Sequence, residues 1–208
     1  MKKFILGAMI GLSLSLLDFS SAFAADTKTF TLSASIPAAT TVGINAFSVN
    51  ASTNVFTAVT GTSLSFNPMT LDSINKIYLP DHYFAIDVAP SNGAGQANVT
   101  FTYTEGANPN STIGRHGLGW KSTATFIKVV GTTETGITTH GPKKMLKDLS
   151  GENILSSEVS GGFLRVYVGI VAKDPTAVFP DPATSEVFSN ADKAGSYDGT
   201  LLISATLV

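Results

Sequence analysis

Cysteine is absent from all 208 residues. Thiolate zinc centres and disulfide frameworks are therefore excluded, and a folded domain has to hold together through its own packing. Charge is scarce as well. Asp, Glu, Lys and Arg make up only 13% of the chain, the formal net charge is −2, and no basic block occurs, so the electrostatic footprint of a nucleic-acid or anionic-lipid binder is missing. No long stretch keeps apolar residues at i, i+3, i+4 and i+7; the nearest is Lys143–Leu149, where Met145, Leu146 and Leu149 predict one short helical turn before Gly151. Trp120 is the only Trp and reads as a core or edge residue of a β-domain rather than a sugar platform.

Catalytic constellations are missing too. His82, His116 and His140 stand far apart, and none has a second His or a carboxylate at a metal-ligand spacing. There is no Gly-x-Ser-x-Gly elbow and no Asp-x-Asp-x-Asp-Gly calcium loop. The glycine-rich run Gly114–Gly119 lacks the Lys and the strand–helix context of a phosphate loop, and reads as a surface loop. The low acidic content argues against a glycosidase carboxylate pair. The expectation is a protein that is not an enzyme and takes no cofactor or metal.

What is present begins at the N-terminus. Lys2 and Lys3 precede an apolar run from Phe4 to Leu17, and Ala22-Phe23-Ala24 places small residues where a signal peptidase reads them. The run is shorter than the roughly 20 apolar residues that cross a bilayer, and no basic stop-transfer cluster follows. Residues 1–24 are therefore expected to be a signal peptide, leaving roughly 184 residues, a comfortable size for one domain.

In the mature chain, Thr- and Val-rich segments of period two recur between Gly, Asn, Pro and Ser clusters, the strand-and-turn pattern of a β-sandwich. Strands are expected at Phe30–Ile36, Val42–Val49, Thr62–Phe66, Tyr83–Val88, Asn98–Tyr103, Thr123–Val130, Phe163–Ala172 and Thr200–Val208. The near-continuous apolar run Phe163–Ala172 predicts a central strand buried on both faces, with Gly169 marking a bulge or a close backbone approach.

The two ends carry the functional signal. Phe30, Leu32, Ala34 and Ile36 alternate with Thr31, Ser33 and Ser35 before Pro37. Such a strand either packs in its own domain or adds to the exposed edge of a neighbour. At the other end, Ala194-Gly195-Ser196-Tyr197-Asp198-Gly199 leads into a final strand where Tyr197, Gly199, Leu201, Ile203, Ala205 and Leu207 fall on one face.

Phe30–Pro37, just behind a leader, resembles the donor-strand segment of alternate-class (alpha) chaperone–usher fimbrial major subunits, the colonization-factor-antigen-type pilins. The C-terminal segment is similar to the closing motif of the same family, and the lack of Cys fits that class. The stretch Thr104–Ser160 does not align to it. The resemblance implies an all-β, incomplete immunoglobulin-like β-sandwich over residues 38–208, completed by a donor strand (residues 25–37) from a neighbouring subunit. It also implies a homopolymer of this chain at the cell surface, exported through the periplasm as part of a fimbrium. The implied partners are a periplasmic chaperone, an outer-membrane usher, a tip adhesin subunit and a host or surface receptor for the fibre. The alternative is a secreted, self-contained β-sandwich that binds carbohydrate or a surface. The leader itself is directly testable: N-terminal sequencing and intact mass of the exported protein are expected to place its first residue at Ala25.

Overall fold

The computed structural model describes residues 39, 41–91, 97–106, 117–118, 125–141, 144–169 and 188–208. The leader, the Phe30–Ile36 segment, His116 and Trp120 lie outside the described residues. The chain forms strands β1 (Val42–Asn50), β2 (Phe56–Ala58), β3 (Met69–Asp72), β4 (Ile77–Pro80), β5 (His82–Pro90), β6 (Ala97–Glu105) and β7 (Gly117–Leu118). It continues through β8 (Phe126–Val130), β9 (Thr133–Gly136), β10 (Lys144–Met145), β11 (Asn153–Ile154), β12 (Phe163–Val168) and β13 (Gly199–Leu207). The protein is all-β, with antiparallel sheets and, among the described residues, only short 3-10 helices at Thr138–His140, Leu146–Leu149 and Ser156–Val159.

A six-stranded sheet runs β2-β1-β5-β12-β8-β9 and a three-stranded sheet runs β11-β6-β13; β3 with β4 and β7 with β10 form two-stranded ribbons. Alternation explains how the larger sheets meet. In β5, Phe84, Ile86 and Val88 point to one face; in β12, Val168, Val166 and Leu164 stand directly opposite them. These six residues share one buried cluster with Val99 and Phe101 of β6 and Ile154 of β11, so the two sheets enclose a common core. The other face of the larger sheet holds a second cluster of Val49, Tyr83, Ala85, Ile127, Val129 and Tyr167. Strands β5 and β12 are thus buried on both faces, which is why their sequences are almost uninterruptedly apolar.

A charged group, Arg165, is set within this second face together with two carboxylates. Arg165 sits directly opposite Asp87 and donates through Nε and Nη2 to the two carboxylate oxygens at 2.6 and 2.7 Å. Its Nη1 reaches Glu134 of β9 at 2.8 Å, and its guanidinium lies 4.8 Å from the Phe56 ring centroid. Burial disfavours the charged guanidinium, but hydrogen bonds and charge from Asp87 and Glu134 outweigh it and hold Arg165 protonated, above its ordinary value. The Tyr167 hydroxyl donates to the same Glu134 oxygen, and burial together with that carboxylate pushes the phenol up as well. Four strands of the sheet are joined by this network.

Several expectations shift. Thr62–Phe66 forms no strand. Both sides of β5 are already taken by β1 and β12, and the segment instead sets buried Phe66 edge-on to Phe84, at 5.0 Å between centroids, while His82 Nε2 bonds the Ser65 carbonyl oxygen at 2.7 Å. The β3–β4 hairpin is additional; its turn is fixed by Asp72, whose carboxylate accepts from the Ile74 and Asn75 backbone N–H groups. Gly117–Leu118, within the run read as a loop, pairs with β10. Of the run Lys143–Leu149, the described residues form β10 followed by a 3-10 turn that buries Leu146 and Leu149. Gly169 lies just past β12, where an added Cβ would stand 3.3 Å from the Tyr83 Cβ, a close approach rather than a bulge within the strand.

At one end of the common core, His140 is gripped from both sides. Its Nδ1 lies 2.8 Å from Glu152 Oε2 and its Nε2 3.0 Å from Glu158 Oε2, while the ring meets Phe126 edge-on at 5.7 Å. Both partners are acceptors, so the grip is complete only for the doubly protonated ring. Burial opposes that charge, yet Glu158 and Glu152 outweigh it and raise His140 above its ordinary 6.5. Glu158, partly buried but hydrogen-bonded by Thr139, His140 and the Leu155 N–H, is lowered from 4.5. A raised histidine contributes stability that is full below its unfolded value and is lost as pH rises through its folded value. A lowered carboxylate contributes above its unfolded value and is lost as pH falls through its folded one. Both contributions are complete between these two ordinary values. The melting temperature is therefore expected to fall between about pH 5.5 and about pH 8.5, and His140→Gln is expected to flatten that fall, as differential scanning fluorimetry across the two buffers would read.

Candidate functional site

Two strand edges lie on the open side of the common core. Strand β13 pairs with β6 along its whole length and has no strand on its other side among the described residues. Strand β1 pairs with β5 throughout, but β2 covers only Phe47–Val49 of its other side, leaving Val42–Asn45 without a strand there among the described residues. Strands β1 and β13 approach one another across this opening.

The side chains facing it are apolar and incompletely covered. Along β13, Leu201, Ile203, Ala205 and Leu207 stand opposite Tyr103, Phe101, Val99 and Ala97 of β6, so they face the core. Their β6 counterparts Val99 and Phe101 are buried to 1% and 2% exposure, whereas the β13 side chains remain half-buried. Thr200, Leu202, Ser204 and Thr206 point the other way and are exposed. On the facing wall, Ile44 stands opposite Val88 in the β1–β5 ladder and so shares its core-facing side, yet it is 46% exposed. Val42 and Ala46, on the same side, pack against the core from a half-buried position.

Neither strand carries residues that would blunt its edge. Natural sheet edges are usually blunted by charged residues, proline or bulges that discourage further pairing. Val42–Asn50 and Gly199–Leu207 contain no charged residue and no proline. Each is nine residues long, enough to template another strand through unpaired backbone N–H and C=O groups.

The expected C-terminal interface residues divide into two groups. Leu201, Ile203, Ala205 and Leu207 are brought together on one face of β13. Tyr197 precedes the strand and acts as an anchor: its ring meets Phe188 edge-on at 4.6 Å, and its hydroxyl donates to the Lys193 carbonyl at 2.8 Å. Gly199 opens the strand beneath the Tyr103 ring, where an added Cβ would come within 2.3 Å of the Tyr103 Oη. Phe30, Leu32, Ala34 and Ile36, expected from the sequence to form a donor strand, lie outside the described residues. The second wall of the opening, at Val42, Ile44 and Ala46, was not singled out by sequence reasoning. Its one signal is that Ile44 sits in the alternating apolar series of β1 while β2 is too short to cover it.

The glycine contact gives a direct test of how β13 is started. Gly199→Val is expected to cost on the order of 1–3 kcal/mol by urea denaturation, as overpacking does. Most of that cost is expected to vanish in a Tyr103→Ala background, a non-additivity that a double-mutant cycle reads.

No family model, curated protein or solved structure matches this chain, so the geometry of its own residues is what bears on function.

Proposed function

We propose that the chain is a structural pilin: the repeating subunit of a surface fimbria, polymerised by donor-strand complementation and without enzymatic activity. On this reading the two sheets are an incomplete immunoglobulin-like β-sandwich. The observation that carries the proposal is the pair of uncharged, proline-free edges, β1 and β13, flanking half-covered core side chains. A strand of alternating apolar residues laid along the β13 edge would pair with its backbone groups and cover half-buried Leu201 and Ile203, with Ile44 on the facing wall. Phe30, Leu32, Ala34 and Ile36 have that alternation, and in this proposal they come from the next copy of the chain. Burying the opening contributes roughly 25 cal/mol per Å2 of apolar surface, with no need for nucleotide or metal.

Before assembly the opening is an aggregation hazard. A periplasmic chaperone covers it in this proposal, and an outer-membrane usher exchanges that cover for the next subunit's strand. A tip adhesin subunit ends the fibre, and the localisation is the cell surface.

Two variants separate donor from acceptor. Ala34→Asp spoils the strand and leaves the opening intact; Ile44→Asp, at an already exposed position, spoils the opening and leaves the strand intact. Each is expected to abolish the SDS-resistant ladder that the mature protein gives in unheated samples. Mixed together they are expected to yield a dimer and nothing longer, since one sound strand meets one sound opening. A mature protein that sediments as a stable monomer, and merely unfolds when residues 25–36 are removed, would show that the N-terminal strand belongs to its own core.

A further inference from the structure

On its core-facing side the six-stranded sheet turns from apolar to polar at one end. Val42, Ile44 and Ala46 of β1 give way to Ser48 and Asn50. Ser48 stands directly opposite Thr57 of β2, and Asn50 opposite His82 of β5, so two polar cross-strand pairs lie side by side. Ser48 also stands opposite the core residue Phe84, a position where an apolar side chain would add to the core. Together with Val55 and Asp81 these residues line an open cleft of about 440 Å3, within the range of small-ligand sites.

The cleft is preorganised, and its polar groups are available. Asn50 Oδ1 is held by the backbone N–H groups of Ser52 and Thr53 and by the Thr53 hydroxyl, at 2.9–3.0 Å. This fixes the amide with its Nδ2 unengaged. His82 is fixed between Asp81 Oδ1 and the Ser65 carbonyl oxygen and lies against Phe66 and Phe84. The Ser48 and Thr57 hydroxyls, Asn50 Nδ2 and Asp81 Oδ2 have no hydrogen-bonding partner among the described residues.

We infer that this cleft is a binding site for a neutral saccharide of one or two rings. Vicinal sugar hydroxyls both donate and accept, matching two side-chain hydroxyls, one amide donor and one carboxylate acceptor. Val55, 58% exposed, offers an apolar surface to the C–H face of a ring. No Lys or Arg lines the cleft, which disfavours phosphorylated and acidic sugars, and a single carboxylate is too few for a calcium site. The site is separate from the strand opening, so the inference does not depend on polymerisation.

Saturation-transfer NMR tests it, because it observes the sugar and works on monomer or fibre alike. The probes are the methyl glycosides of galactose, mannose and N-acetylglucosamine, with N-acetylneuraminic acid as the anionic control. At least one neutral glycoside is expected to show transfer from the mature chain, and the anionic sugar none. Ser48→Val with Thr57→Val, which suits strand geometry, is expected to abolish transfer while the circular dichroism spectrum is unchanged. Asp81→Ala, at an exposed carboxylate, is expected to weaken it at least several-fold and carries the test if the double variant does not fold. Absence of transfer from every neutral glycoside, transfer undiminished in these variants, or preference for the anionic sugar would each overturn the inference.

Discussion

Among the described residues, the common core is closed by strands on one side and bounded on the other by two strand edges with no further strand beside them. An edge presents backbone N–H and C=O groups that need a partner, and the residues alternating beneath it are only as buried as the next strand makes them. Within the three-stranded sheet, β6 has neighbours on both sides, so Val99 and Phe101 are sealed. One strand further out, Leu201 and Ile203 of β13 occupy equivalent core-facing positions and are not. The difference in burial is a consequence of strand order, not of side-chain chemistry.

An open side is tolerable only if the remainder is rigid without it. The chain has no disulfide to supply that rigidity. Instead β5 and β12 are packed on both faces, and Arg165 bonds Asp87 and Glu134 across them. A buried ion pair adds little net stability by itself, because desolvation offsets most of its attraction. Its value here is registry: the bidentate fork fits only when Arg165 lies directly opposite Asp87, and a one-residue slip would turn both clusters inside out. The His140 grip acts at a different place in the same way, joining the turn after β9 to the segments flanking β11.

Much of this was legible in the sequence. Strands β1, β5, β6, β12 and β13 announce themselves because each is six to nine residues long, with alternation in β6 and β13 and near-continuous apolar runs in β5 and β12. Thr62–Phe66 shows the limit of that reasoning: Leu64 and Phe66 alternate, but burial of Phe66 against Phe84 satisfies them without a ladder. The β3–β4 hairpin was not singled out, because each of its strands is only four residues long and too short to show a period. The core-facing row of β13 was legible from alternation alone. Its opposite wall was not, since the exposure of Ile44 depends on β2 ending early, and that is a property of pairing rather than of local pattern.

The absence of edge protection is the most informative departure from ordinary sheet design. Charged residues and prolines keep strand edges from pairing with the wrong chain, and a sequence that omits them from both edges of one opening gives up that safeguard twice. Exposed Thr200, Ser204 and Thr206 keep the outer face of β13 wettable, but they do nothing to block backbone pairing along its edge. A self-contained module would gain from a lysine or glutamate in either strand at no cost to its core, because the outward positions are free to carry one. A strand whose edge must accept another cannot hold such a charge without hindering its own assembly. The missing charges are therefore consistent with the proposed pairing of these edges with another strand.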